Sequence, residues 1–113
     1  MKFLVTGEGV DYGGPEDPKM LAMTIENVIN PSLAILDGWV KSGKAHGGLL
    51  AGQRQGVLIM EAQSAEEIGG WLRSLPFWGR VKWTVTPLED AQAVINDQKK
   101  MAEMLRKAPG ASG

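Results

Sequence analysis

Ser64 to Leu88, SAEEIGGWLRSLPFWGRVKWTVTPL, joins a capped amphipathic helix, a Pro-Phe-Trp-Gly turn and a strand. Ser64 followed three residues later by Glu67 has the spacing of a capping box, in which each side chain reaches a backbone N–H of the first turn. Ile68, Trp71, Leu72 and Leu75 then recur at helical spacing and define one apolar face. Arg80 to Thr86, RVKWTVT, alternates with a period of two, as a half-buried strand does. Pro87 ends it, because proline has no N–H to give to a ladder.

Working outward, Lys2 to Thr6 is a short apolar run that predicts a first strand. Gly7 to Pro18 reads as loop, with four glycines, two prolines and the acids Glu8, Asp11, Glu16 and Asp17. Asp17-Pro18 supplies an N-cap followed by proline at the first helical position. The helix continues through Met20 or Leu21, Thr24 or Ile25 and Val28. Asn30-Pro31 repeats the start signal and predicts an interruption or kink. A second helical segment runs from Ser32 through Leu33, Leu36 and Val40 to a C-terminal cap at Gly43. Lys44 to Ala51 and Gln55 to Ala62 read as a hairpin around Gly52-Gln53-Arg54-Gln55-Gly56. Leu88 to Ala108 forms a last helix, and the tail Pro109 to Gly113 is expected to be disordered.

The order β-α-β-β-α-β defines a ferredoxin-like α+β domain over residues 1–88. The helix at 89–108 lies outside that domain, and its Met101, Met104 and Leu105 are expected to form an oligomer contact. Val57-Leu58-Ile59-Met60 is apolar at four successive positions, so both faces of its strand favour burial. An antiparallel sheet with one wet face would alternate instead. Helices cover one face only. A second sheet from an identical subunit is the simplest cover for the other, which predicts a homodimer of the dimeric α+β barrel type.

At 113 residues and 43% hydrophobic, the chain has the size and composition of one globular domain. A net charge of −1 with scattered Lys and Arg argues against nucleic acid. No apolar run approaches the roughly 20 residues that span a bilayer, so no membrane partner is expected. Met1-Lys2-Phe3-Leu4-Val5 is too short for a signal-peptide core, and a cytoplasmic protein is expected. The absence of cysteine excludes disulfides, thiolate metal sites and a Cys nucleophile.

Gly38 to Ala45, GWVKSGKA, approaches a phosphate-binding loop but has Ala45 where a magnesium-binding hydroxyl belongs. It also follows a helix and precedes a strand, the reverse of that motif's context. His46 is the sole histidine and titrates near neutrality when unperturbed, so it is the candidate general acid or base. Gly47 and Gly48 beside it would let a ligand approach the backbone closely. The plainer reading of His46 is an idle residue at a strand end. Glu61 closes the apolar run of the same hairpin and is the candidate second carboxylate. Its plainer reading is a strand that has reached the surface. Among four tryptophans, Trp71 and Trp83 fit core stripes, whereas Trp39, Trp78 and neighbouring Phe77 are candidate pocket walls. One histidine and no cysteine give metal binding no support, and no cofactor is expected.

The Leu72 to Leu88 passage, with its Leu-x-x-Leu-Pro and Val-Thr-Pro-Leu signals, resembles muconolactone isomerase-like proteins of the dimeric α+β barrel superfamily. The chain is also similar to the YciI-like proteins, through glycine-rich stretches before the hairpin and Pro76-Phe77 after the second helix. The first resemblance implies double-bond migration in a small oxo or lactone compound by proton transfer, without metal or cofactor, in assemblies of dimers. The second implies a catalytic His–Asp pair; His46 falls in the matching neighbourhood and no Asp partner is placed. The long acidic Gly7–Pro18 segment, Pro31 within the first helix and the extended C-terminal helix depart from the isomerase pattern. A non-catalytic small-molecule-binding or assembly module, and a cofactor-free oxygenase on a quinol-like substrate, are the competing functional readings.

Overall fold

A computed structural model describes residues 1–10 and 17–110. Residues 11–16 of the acidic segment and 111–113 of the tail lie outside them. Strands β1 (Lys2–Gly9), β2 (Ala45–Leu49), β3 (Gln55–Glu61) and β4 (Val81–Pro87) form one antiparallel sheet in the order β2-β3-β1-β4. Helices α1 (Pro18–Thr24), α2 (Asn30–Lys41) and α3 (Ala65–Arg73) complete the ferredoxin-like domain, and α4 (Ala91–Lys107) follows it.

Register divides the side chains between two faces. Phe3↔Met60, Val5↔Leu58 and Val5↔Val85 set one face, and Ala45 joins it opposite Met60. Phe3, Val5, Ala45, Leu58 and Met60 form a buried cluster with Ile68, Leu72 and Leu75 of the α3 region. This is the helical face read from Ser64–Leu88. The other face carries Leu4, Thr6, Val57 and Ile59 among polar and charged neighbours, and Ile59 is 39% exposed. Alternation in β3 thus places two apolar side chains inside and leaves two without cover in the monomer.

The cap of α3 is displaced by one residue from the expected box. Ser64 Oγ accepts from the Glu67 N–H at 3.2 Å, while the Glu67 carboxylate accepts from Gln63 N–H at 3.4 Å. Asp17 caps α1 through the Lys19 N–H.

One expectation is corrected and one is given its form. The first strand does not stop at Thr6: Gly7 pairs with Gly56 and Trp83, and Gly9 with Val81, so β1 runs three residues into the supposed loop. Ladder partners on both sides outweigh glycine's weak strand preference here. The interruption expected at Asn30-Pro31 takes the form of a π turn just before it. A π turn at Ile25–Ile29 joins α1 to α2, and the Asn30 N–H bonds the Ile25 carbonyl, five residues back. The extra residue in that turn lets Pro31 enter the helix beside a widened turn instead of ending it.

Ser32 is fully buried and ties this helix to the turn after α3. Its hydroxyl donates to the Val28 carbonyl at 2.7 Å and accepts from the Phe77 N–H at 2.9 Å. Ser32→Ala leaves that N–H without its partner and is expected to cost about 1–3 kcal/mol. Urea denaturation reads this directly; an unchanged midpoint would show the bond to be dispensable.

Candidate functional site

Glycines build the site. On the helix-facing side of the sheet, Gly7 stands directly opposite Gly56, Gly47 pairs with Leu58, and Gly9 follows two residues after Gly7. These positions carry no side chain of their own, and the room is taken by neighbours: the Trp83 ring and Val81 lie over Gly7, and Leu49 over Gly56. Above this end of the sheet, α1 and the π turn bury no residue and make no extensive contact with the sheet. The gap between them is an open cavity of about 890 Å³, within the range that holds small ligands.

Its walls are mainly apolar: Leu21, Ile25 and Leu33 from the helical side, Leu58, Phe77 and Trp83 from the sheet and turn. Phe77 and Trp83 meet edge-to-face with centroids 6.1 Å apart. The Trp83 Nε1–H donates to the Trp78 carbonyl at 3.2 Å, which fixes the indole plane. Polar groups are few, with Thr24, Asp37, Gln53, Arg54, Gln55 and Arg80 on the lining. Asp37 is the lining carboxylate among the described residues. It accepts from Lys41 Nζ at 2.7 Å, and this hydrogen bond, with the carboxylate's charge, raises the Lys41 pKa above its ordinary 10.5.

The residues singled out from sequence are dispersed. Phe77 lines the cavity, and Trp39 and Trp78 do not. Trp39 packs against the core and faces Lys44, whose ammonium lies 4.9 Å from the Trp39 ring and 4.0 Å from that of Trp71. Trp78 is exposed in the turn. His46 pairs with Ile59 and so lies on the sheet face away from the helices. Glu61 shares that face, two residues beyond Ile59, and sits 3.9 Å from the Met1 amine. His46 and Glu61 are therefore diagonal neighbours, a spacing of about 7–8 Å, and the cavity lies on the other side of the sheet. Trp83, read as core, packs against the buried cluster and is also a cavity wall. The sequence signal for this floor was Gly7-Glu8-Gly9, a two-residue glycine period that a loop reading obscures.

Among the described residues, no cluster of three or more potential metal ligands occurs and no helix is long and apolar enough to cross a membrane.

The fold and strand order are those of a subunit of the dimeric α+β barrel superfamily. Among solved structures, the chain is similar to 5-chloro-2-hydroxyhydroquinone dehydrochlorinase from Burkholderia phenoliruptrix, determined in complex with 2,5-dihydroxybenzoquinone. The identity is 26%, the TM-score 0.52, and the match covers 79% of this chain and 94% of that one. No protein-family model matches the chain, and no curated protein matches it in sequence.

Proposed function

We propose that this chain is an enzyme for small oxygenated ring compounds (quinones, hydroxyquinols and lactones), bound in the glycine-floored cavity and transformed by proton transfer without a cofactor. The observation that carries this reading is a cavity of small-ligand size with mainly apolar walls, Phe77 and Trp83 among them, over the glycine-rich end of the sheet. A flat ring can stack between the Trp83 indole, which lies over Gly7, and the apolar side chains Leu21 and Ile25 of the helical side. The few polar lining groups suit ring oxygens. The similar dehydrochlorinase, solved with a dihydroxybenzoquinone, supports this ligand class.

Double-bond migration and loss of hydrogen halide begin alike. A base takes a proton from a ring carbon or hydroxyl, and the electron pair left behind moves into the ring. In migration the proton returns at a different carbon; in elimination the halide leaves with its bonding pair. Neither needs an external oxidant, and we assign the proton exchange to Asp37, the lining carboxylate, which also pairs with Lys41.

The test is a thermal-shift and turnover panel of quinones, hydroxyquinols, lactones and oxo acids. A ligand at about 100 times its Kd adds about 2.7 kcal/mol. Gly7→Ala probes the floor: the added Cβ would stand 2.7 Å from Trp83 Cζ3 and 3.0 Å from Val81 Cγ1, so the indole must swing into the cavity. Affinity is expected to fall about tenfold, or about 1.4 kcal/mol. A flat response across the panel overturns the reading.

A second reading is favoured by the shared placement of His46 and Glu61. If a second copy packs its sheet on the outer face, this pair becomes enclosed and could serve as the proton-transfer couple. In that case His46→Ala abolishes turnover and Gly7→Ala leaves it intact, the reverse of the pattern expected for the cavity.

A further inference from the structure

Two arginines line the cavity at the Gly9 end of β1, and the backbone places them as a pair. The Gly9 N–H donates to the Arg54 carbonyl at 2.7 Å, and the next N–H, that of Val10, donates to the Arg80 carbonyl at 3.0 Å. Successive N–H groups of a strand point to opposite sides, so Arg54 and Arg80 flank the end of β1, about 10 Å apart across two strand spacings. Arg54 comes from the β2–β3 connection and Arg80 from the 3₁₀ turn before β4. The stem of Arg54 lies over Gly9: a Cβ built there would stand 3.3 Å from Arg54 Cβ and 3.8 Å from its Cδ. Gly9 shares the face of Gly7, so this arm is on the cavity side of the sheet. Asp37 is the third charged group of the lining among the described residues. It lies on α2, and its carboxylate is held by Lys41 at 2.7 Å. The lining thus carries two positive charges against one negative, and the negative one has its own counter-ion.

We propose that Arg54 and Arg80 form an oxyanion subsite, so that the ring compounds this cavity selects carry a negative oxygen, either a ring carboxylate or an ionised ring hydroxyl. A guanidinium offers five N–H donors in a planar fork and can take a ligand oxygen beside any partner it already has. Charge-assisted bonds of this kind are about 2.7–2.9 Å long and roughly twice as strong as neutral ones. The spacing fits a single ring. Trp83, on which the ring can stack, pairs with Gly7, and Gly9 is two residues on, about 7 Å along the strand. An oxygen at the ring's edge and one hydrogen bond span that interval. Apolar walls bind the ring, and charge confined to one end fixes its direction, with the anionic edge toward Gly9. The subsite rests on the reading of the cavity given above and narrows it to anions.

Calorimetric titration of the full chain with matched compounds tests this. Benzoate is compared with its methyl ester, and hydroxy-para-benzoquinone, ionised at neutral pH, with its methyl ether. The charged member of at least one pair is expected to bind about tenfold or more tightly than the neutral one, and to weaken with added salt. Which pair responds separates a carboxylate from an ionised hydroxyl. Arg54→Gln and Arg80→Gln should each lower the affinity for the charged member about tenfold and leave the neutral member unchanged. Both side chains are exposed, and the bonds to Gly9 and Val10 are made by backbone, so an unchanged urea midpoint is expected for each variant. Lys82→Gln, on the opposite face of the sheet, should alter neither affinity. Equal binding of both members by the native chain overturns the subsite and leaves the cavity reading standing. Selection that survives in the Arg54→Gln/Arg80→Gln double variant, or that Lys82→Gln abolishes, overturns the assignment to these arginines. So does equal loss of both members in a folded variant, since the arginines would then shape the cavity without reading charge. If neither member of either pair binds, the cavity reading fails and the subsite with it.

Discussion

Gly47→Ala is expected to separate β2 from β3 and to cost about 3–5 kcal/mol, placing it at the severe end of single substitutions. Gly47 has φ +136°, a conformation L side chains rarely adopt, and this alone is worth about 1–3 kcal/mol of strain. Space adds to it. The new Cβ would stand 2.0 Å from the Val57 carbonyl oxygen and 3.1 Å from Leu58 Cα, both backbone atoms of the paired strand. No rotamer relieves a clash with backbone, so the hairpin must open. Because Gly47, Gly48 and Leu49 also line the cavity, ligand stabilisation should vanish with it. The measurement is urea denaturation with and without a panel ligand. A loss below about 1 kcal/mol would contradict the strained geometry.

Ile68→Ala should cost about 2–5 kcal/mol, through lost apolar burial and the cavity it leaves. Ile68 is fully buried on α3, in one cluster with Leu72, Leu75, Phe3 and Met60. The melting temperature should fall steeply, since each kcal/mol shifts a domain of about 100 residues by about 4–8 °C. Ile59→Ala is the control. It removes the same atoms from the opposite face, where the monomer leaves Ile59 partly in water, and should change monomer stability little. A strong Ile59→Ala effect that depends on protein concentration would instead reveal a second copy on that face.

The candidate site was less legible than the fold. His46 drew attention as the sole histidine, yet its pairing with Ile59 turns it away from the cavity. Phe77, a candidate pocket wall beside Trp78, lines the cavity. Trp78, one residue on, is exposed because the short 3₁₀ turn at Trp78–Arg80 points it outward.

Local chemistry alone determines the elements of this protein. The Ser64 cap, the Ile68/Leu72/Leu75 stripe, the alternation of Val81 to Val85 and the Asp17-Pro18 start each act within a few residues, so each can be read without knowing what lies opposite. The β-α-β-β-α-β order follows from them. What only tertiary structure decides is everything set by pairing over distance. Gly7, Gly47 and Gly56 become one floor because the ladders of β1, β2 and β3 bring them side by side. His46 is excluded from that floor by the same ladders, since a register moved by one residue would exchange its face with that of Gly47. Pro31 stays within a helix because the π turn before it supplies the room, and Ser32 then holds the turn after α3 through the Phe77 N–H. Spacing along a chain fixes periodicity; which faces meet is settled by hydrogen bonds between residues distant in the sequence, as between β1 and β3 or Ser32 and Phe77.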